Sequence, residues 1–189
     1  MRTRSFILAA SLSSVLIGSS ADALRRSPVP LDCGSAVAGL QICLASTGSN
    51  LQLALRNVGD RDVILNLGVM LGNGKTQLPN NISLNFTDAR GKTRLFKFAD
   101  KRYPFVAGRM DDYVVPLRAG STYTLQLTFD QFWCSETKEF SIPLEPGKNL
   151  LTAQYEGTGA KTANLDMSAI KFMNYWLGKV ESNILTLER

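Results

Sequence analysis

The segments NLQLALRN (residues 50–57) and NISLNFTD (residues 81–88) decide the fold class. Every second residue is apolar in each: Leu51, Leu53 and Leu55 in the first, and Ile82, Leu84 and Phe86 in the second. Because successive side chains of an extended chain point to opposite faces, this alternation collects the apolar residues on one face. Both segments are therefore predicted to be strands with one buried and one wet face.

The same two-residue period recurs along the chain after Leu40, with turn signals rich in Gly, Asn, Asp and Pro between the segments. Further predicted strands cover residues 41–46, 63–67, 93–98, 113–117, 122–129, 139–144, 150–156 and 180–187. No helical period competes over a useful length, although apolar residues at three-residue steps allow a short helix near 166–177. We predict an all-β, antiparallel sandwich of about nine or ten strands.

The first 23 residues have the pattern of a secretory signal. Arg2 and Arg4 precede an apolar stretch from Phe6 to Ile17, and the segment ends in Ala21-Asp22-Ala23. The stretch is shorter than the roughly 20 residues of a membrane-spanning helix. We expect an extracytoplasmic protein, secreted or periplasmic, with a signal peptide (1–23), an extended leader (24–39), one domain (40–189) and no membrane span.

The chain is mildly basic, with a net charge of +5. Its basic residues concentrate between Arg90 and Arg109. A basic stripe can meet nucleic acid, an anionic glycan or a lipid headgroup. Because Lys92 and Arg94 follow the strand alternation, we interpret the stripe as a solvated strand face and predict no nucleic-acid partner.

The three cysteines are Cys33, Cys43 and Cys134, and the chain has no histidine. A zinc site needs four Cys or His ligands, and a thioredoxin-like pair needs two intervening residues, so neither fits. In an oxidising compartment a disulfide is the default. Three single pairings are open; we predict Cys33–Cys43 because Gly34 and Gly39 let the chain double back. Cys134 is then either a buried thiol or a link to another chain.

Two connections, residues 99–112 and 157–178, are longer than a sandwich requires. Both contain aromatic residues, and basic residues flank the first, an arrangement suited to stacking on sugars or anchoring a protein partner. The candidate binding residues are Lys101, Arg102, Tyr103, Phe105, Arg109, Tyr175 and Trp176. Trp133 is a further aromatic candidate, and Trp176 is the member most readily explained as core.

Three segments resemble bacterial immunoglobulin-like domains: LALRNVGDRDVIL (53–65), VPLRAGSTYTLQL (115–127) and WLGKVESNILTL (176–187). The resemblance is to uncharacterised secreted proteins of this kind and covers about residues 51–187. It implies an Ig-like β-sandwich and brings no catalytic residues. Antibody-type domains place Cys, Trp and Cys on separate strands, whereas Trp133 and Cys134 are adjacent here, which argues against an antibody-like core disulfide.

Several patterns that could support catalysis or ion binding have simpler interpretations. Without histidine, no Ser-His-Asp triad exists, but Ser135 with Lys138 and Ser168 with Lys171 match S-x-x-K. The acids Asp111 and Asp112 are expected on opposite strand faces. Asp60 and Asp62, with Asn57, could offer oxygen ligands to calcium but fit a solvated turn better. LGNGKT (71–76) lacks the first glycine of a phosphate loop and indicates a hairpin turn at Asn73-Gly74, and the N-glycosylation patterns at Asn81 and Asn85 fit a wet strand face.

These observations together predict a non-enzymatic binding module that needs no cofactor or metal. It would recognise a protein or a cell-envelope component through the connections 99–112 and 157–178. A carbohydrate-binding module is the first alternative, and a hydrolase using carboxylates or a Ser-Lys pair is the second.

Overall fold

The computed structural model describes residues 32–48, 50–72, 74–102, 108–160 and 173–189. Within these ranges the protein is all-β, with a 3₁₀ turn at Phe129–Gln131 as its helical element, and every pairing between strands is antiparallel. The prediction of an all-β, antiparallel chain is confirmed. No helix among these residues has the length and apolar composition needed to cross a membrane.

The strands are β1 (Leu40–Thr47), β2 (Asn50–Asn57), β3 (Val63–Leu71), β4 (Gln77–Leu78), β5 (Ile82–Thr87), β6 (Thr93–Phe98), β7 (Met110–Leu117), β8 (Thr122–Thr128), β9 (Phe132–Cys134), β10 (Glu139–Phe140), β11 (Lys148–Gly157), β12 (Gly178–Glu181) and β13 (Leu185–Glu188). The described residues thus contain thirteen strands rather than nine or ten. The difference arises because the sequence pattern did not predict the short strands β4 and β9, and because the segment predicted at 180–187 divides into β12 and β13.

Three sheets make up the described fold. The first has the order β1-β2-β8, the second β4-β3-β7, and the largest β10-β9-β6-β5-β11-β12, with β13 also paired to β11. Strand β11 therefore has β5 on one side and, on the other, β12 along one half and β13 along the other half.

One hydrophobic core contains residues from all three sheets. The alternating leucines of β2 and the apolar residues Ile82, Leu84 and Phe86 of β5 are all fully buried, as their period predicted. Phe86 packs edge-on against Phe96 on the neighbouring strand, with ring centroids 6.0 Å apart. Each such side chain contributes roughly 1.5 to 3 kcal/mol by leaving water, so the sandwich-like arrangement rests mainly on these inward rows.

The described part of the leader, residues 32–39, folds back onto β1 as a hairpin closed by the predicted Cys33–Cys43 disulfide. At its turn, Ala38 and Gly39 both have positive φ, as a two-residue type I′ turn requires, and Val37 and Leu40 exchange backbone hydrogen bonds. Gly34 is needed for another reason: a Cβ there would lie 2.0 Å from the carbonyl oxygen of Glu181. The arm of the hairpin that precedes β1 therefore packs closely against β12.

Asn183 joins the break between β12 and β13 to the outer edge of β1. Its Oδ1 accepts a hydrogen bond from the Leu44 N–H at 2.7 Å, and its Nδ2 donates to the Leu44 carbonyl at 3.0 Å. The preceding Ser182 pairs with Ala153 on β11 through both its N–H and its Oγ. An amide side chain thus takes the place of a neighbouring strand for one residue of β1.

The segment after the second long connection is extended where it is described. Tyr175 forms a parallel bridge to Ile64 on β3, in which the Ile64 N–H donates to Asn174 and the Trp176 N–H donates to Ile64. Residues 173–177 are therefore not helical, because their backbone groups pair with a strand. The remainder of the predicted helix, 166–172, lies outside the described residues, as does the signal segment.

Asp88 organises the turn between β5 and β6. Its Oδ1 accepts hydrogen bonds from the backbone N–H groups of Arg90 and Lys92, and its Oδ2 accepts one from Arg94 at 2.8 Å. The Lys92 N–H is the largest single cause that holds the pKa of Asp88 below its ordinary value of 3.8; burial opposes this effect, and Arg90 and Arg94 add to it. The carboxylate is therefore the form that the turn favours.

Candidate functional site

Both long connections start at the same end of the largest sheet, and we call the described residues of the two connections the loop end. It comprises the described residues 99–102, 108–109, 158–160 and 173–177. The first connection follows β6, whose last residue Phe98 pairs with Phe132, and the second follows β11, where Tyr155 pairs with Ile82. The fold thus places the starts of the two connections on either side of β5, at the same end of this sheet.

A buried polar cluster under the loop end is centred on Asn66 of β3. Its Nδ2 donates to Asp112 Oδ1 and to the Gly159 carbonyl, both at 2.9 Å, and its Oδ1 accepts from the Gly68 N–H. Asp112 is the third residue of β7 and the last residue of the first connection, and Gly159 lies near the start of the second connection. One fully buried asparagine therefore links the two connections, and the register of β3 against β7 shifts between Asn66 and Gly68.

The Asn66 carbonyl receives two further hydrogen bonds in the same cluster. Asn81 Nδ2 donates at 2.8 Å and the Tyr155 hydroxyl donates at 3.1 Å. Burial raises the pKa of the Tyr155 phenol, which therefore stays protonated and able to donate. Asn81, which the sequence presents only as a glycosylation pattern, is a structural residue here.

Tyr175 and Trp176 lie beside this cluster. The Trp176 indole is 4% exposed, stacks on the Tyr155 ring with centroids 5.6 Å apart, and donates from Nε1 to the Ala38 carbonyl. The Tyr175 hydroxyl is buried and has no hydrogen-bond partner among the described residues. Burial raises the pKa of Tyr175, and the negative charge of Asp112 raises it further. Both side chains thus support the loop end from inside the fold.

The aromatic groove is the open feature of the loop end. It has a volume of about 370 Å³ and is lined by Leu78, Asn80, Phe98, Ala99, Asp100, Trp133 and Phe140. Phe140 on the edge strand β10 is 39% exposed, and its register partner on β9 is the half-buried Trp133. Cross-strand partners share a sheet face, so these two rings lie on the same face of the largest sheet.

Asp100 anchors the basic rim of the aromatic groove. Its side chain is buried and accepts hydrogen bonds from the Arg102 backbone N–H, from the Arg102 guanidinium and from Gln131. The Arg102 guanidinium is the main cause that lowers the pKa of Asp100, against an opposing effect of burial. Asp100 therefore holds the largely exposed Arg102 side chain in place next to Lys101, which is itself exposed.

The five described residues among the seven sequence-predicted binding residues are separated by the fold. Lys101 and Arg102 lie at the rim of the aromatic groove, whereas Arg109 lies against the β3–β4 turn, where its carbonyl accepts from the Gly72 N–H and its Nε lies 3.1 Å from Asp111 Oδ1. Trp176 is buried beneath the loop end, and Tyr175 is half-buried beside it. Tyr103 and Phe105 lie outside the described residues.

Sequence reasoning missed most of the groove lining. Trp133 was a candidate because it is a tryptophan, but Leu78, Phe98 and Phe140 follow ordinary strand patterns. These residues come from β4, β6 and β10, which are adjacent only through the sheet order and packing. No local signal in the sequence could have found them.

The other chemical candidates have structural roles. Asn57 Nδ2 donates to the Arg61 and Leu117 carbonyls, and its Oδ1 accepts from the Gly59 N–H. Asp62 Oδ1 accepts from the Ala119 N–H, so these oxygens organise turns. In the described part of the chain, no group of three or more His, Cys, Asp or Glu residues could hold a metal ion.

The remaining motifs lie in turns. Ser135 and Lys138 belong to the β9–β10 turn, where the Lys138 N–H donates to the Cys134 carbonyl. LGNGKT connects β3 to β4 as a hairpin rather than opening a helix, as predicted. Ser168 and Lys171 lie outside the described residues.

Cys134 is a fully buried thiol and the last residue of β9. Its strand neighbours Phe96 and Phe132 also face the core. Of the two alternatives for this cysteine, the structure has the buried apolar thiol, which would have to leave the core before it could bond to another chain.

Comparison with known proteins adds no family or relative. No protein-family model matches the chain, and no curated protein matches it. The resemblance to immunoglobulin-like domains stays a prediction from the segments quoted above.

Proposed function

We propose that the protein is an extracytoplasmic, non-enzymatic binding module with an Ig-like β-sandwich fold, and that it recognises a protein or a cell-envelope component at its loop end. The aromatic groove carries this proposal. It presents a partly exposed phenylalanine and a half-buried tryptophan, and its lining residue Asp100 is followed in the chain by the exposed Lys101 and Arg102.

The chemistry of the groove suits a partner that inserts an apolar or aromatic group and carries anionic groups nearby. Interface hot spots are enriched in aromatic residues and arginine, and they lie where the surroundings exclude water. Phe140 and Trp133 supply the apolar contact, and Arg102, which Asp100 holds in one orientation, supplies a charge at fixed distance. Such preorganisation lowers the entropy lost on binding.

The compartment is part of the proposal. A disulfide in a loop-closing hairpin is typical of proteins that leave the reducing cytosol. The signal-like first 23 residues support the same compartment.

A carbohydrate ligand is the second candidate, because Trp133 and Phe140 share one sheet face. Sugar-binding sheets use aromatic rings on one face together with polar neighbours. Lys97 is the register partner of Trp133 on β6, and Ser83 is the partner of Lys97 on β5, so a polar row continues from the two rings.

The test compares Phe140→Ser with Leu95→Ser. Both residues are exposed apolar side chains of the largest sheet, at 39% and 41%, but only Phe140 lines the groove. Wild type and both variants are used to capture partners from envelope extract and culture fluid, and a captured partner is purified and titrated against each. Binding should weaken about tenfold or more in Phe140→Ser.

The outcomes separate the candidates. A partner retained by Leu95→Ser and lost by Phe140→Ser supports the proposal, and a glycan-array signal with the same dependence supports the second candidate. Equal binding by all three proteins, or no partner and no glycan for wild type, would refute a binding role for the groove.

A further inference from the structure

The outer edge of β8 differs from the other sheet edges of the described fold. β1 is covered by the disulfide hairpin and by Asn183, β4 and β10 are two residues long, and β12 and β13 carry Lys179, Glu181 and Glu188. β7 carries Pro116, which has no N–H to offer. These are the devices by which native proteins prevent strand addition at an edge.

β8 has none of these devices. Its sequence TYTLQLT has seven residues, no charge and no proline, and among the described residues β2 is its sole strand neighbour. The Asn57 N–H of β2 donates to the Ser121 carbonyl, and the pairing continues as Leu55 with Tyr123 and Leu53 with Leu125. Because antiparallel pairs alternate, the backbone groups of Thr122, Thr124 and Gln126 point away from β2.

The sequence of β8 is complementary to itself. When the strand is laid antiparallel on a second copy with Leu125 opposite Leu125, Tyr123 meets Leu127 and Thr124 meets Gln126. Apolar residues then face apolar residues and polar residues face polar residues, so the two inner faces stay continuous. Thr124 and Gln126 also carry the outward backbone groups, so this register aligns the donors and acceptors that have no partner among the described strands.

Charge and burial favour the same partner. Exposed Arg118 precedes β8 and exposed Asp130 follows it, so antiparallel self-pairing brings opposite charges towards each other at both ends. Tyr123 and Leu125 contact the core but stay partly exposed at this edge. A second copy would bury both further.

We propose that β8 is a dimerisation edge at which two copies of this chain pair antiparallel about Leu125. The β1-β2-β8 sheets of the two copies then join into one sheet across a two-fold axis. Thr124 of each copy exchanges backbone hydrogen bonds with Gln126 of the other. This inference is independent of the aromatic groove, which lies on another sheet.

The experiment measures the oligomeric state by sedimentation from micromolar to millimolar protein. Thr124→Lys with Gln126→Lys places like charges opposite each other and should raise the dimer dissociation constant about tenfold or more. Thr124→Lys with Gln126→Glu places opposite charges in the same positions and should keep the dimer. The matched control is Thr152→Lys with Gln154→Lys, the same Thr-x-Gln spacing on β11, which is paired on both sides.

A second variant covers the case in which a charged variant fails to fold. Gln126→Pro removes only an outward N–H, so the pairing with β2 is retained while the dimer weakens. Circular dichroism checks the fold of each variant. A wild-type protein that is monomeric at every concentration, as expected if another segment of the same chain covers β8, overturns the proposal. So does equal dimerisation of all variants, and loss of the dimer in both charged variants of β8 overturns the Leu125-centred register.

Discussion

The Cys33–Cys43 disulfide allows the sharpest quantitative prediction. The two cysteines are 10 residues apart, and the bond closes a hairpin that is already held by backbone hydrogen bonds in the folded state. Reduction therefore acts mainly on the unfolded chain, whose conformational entropy increases when the loop is no longer closed. The chain-entropy relation for a loop of this length gives about 2 to 3 kcal/mol at 25 °C.

The assay is urea unfolding of the oxidised and the reduced protein. For a domain of this size, a difference of about 2 to 3 kcal/mol in the free energy of unfolding corresponds to a shift of roughly 4 to 12 °C in the thermal midpoint. Cys33→Ser supplies the control, since this variant has only thiols and reductant should not change its stability. Its unfolding free energy should match that of the reduced wild type, because Cys33 is only partly buried and contributes little packing.

Two results would refute this reasoning. If reduction changes the unfolding free energy by less than about 0.5 kcal/mol, the hairpin does not unfold together with the domain or the denatured chain stays closed without the bond. If reductant also destabilises Cys33→Ser, its effect does not come from this disulfide.

Three further predictions concern stability and can be measured by urea unfolding. Asn183→Ala removes two hydrogen bonds to the backbone of β1 and should cost about 1 to 3 kcal/mol; an unchanged midpoint would show that water replaces the amide at no cost. Gly34→Ala places a Cβ against the Glu181 carbonyl and should cost about 1 to 3 kcal/mol, whereas Gly159→Ala, whose Cβ meets no atom of the described residues within 4 Å, should be nearly neutral; equal effects would contradict the close approach. The pKa of Asp88 is lower in the folded state than its ordinary 3.8, so the contribution of its carboxylate to folding stability is present above pH 3.8 and is lost as the pH falls below that value. Asp88→Asn should therefore lose less stability than the wild type between about pH 5 and about pH 3. An identical acid dependence in the variant would contradict the assignment.

Local patterns predicted much of the fold. The alternation in β2 and β5 identified their buried faces correctly, because a sheet that is buried on one side has an apolar residue at every second position of its strands. The disulfide was also predictable, since its cysteines are close in the chain and a glycine with positive φ lies between them. The error in the closing segment has a physical cause: Ser182 and Asn183 look like strand residues, but their side chains bond to other strands and interrupt the pairing.

The candidate site was predictable only in outline. The length and composition of the two connections indicated the loop end, and Lys101 and Arg102 lie there. The sequence alone did not fix the burial of Trp176, which is buried, or of Tyr175, which is half-buried, because an aromatic residue next to a strand has the same local sequence whether it faces water or the core. In the fold, Trp176 stacks on a residue 21 positions earlier in the chain.

The sequence by itself determined the strand period, the inward rows of apolar residues and the short-range disulfide, because each depends on neighbours within a few residues. Only the tertiary structure decided that Asn66 links both connections, that Leu78, Phe98 and Phe140 line one groove, and that β8 is a sheet edge. These features depend on the order in which strands pair. Alternation constrains which face of a strand is buried but leaves its neighbours open, and those neighbours are selected by the packing of the whole core.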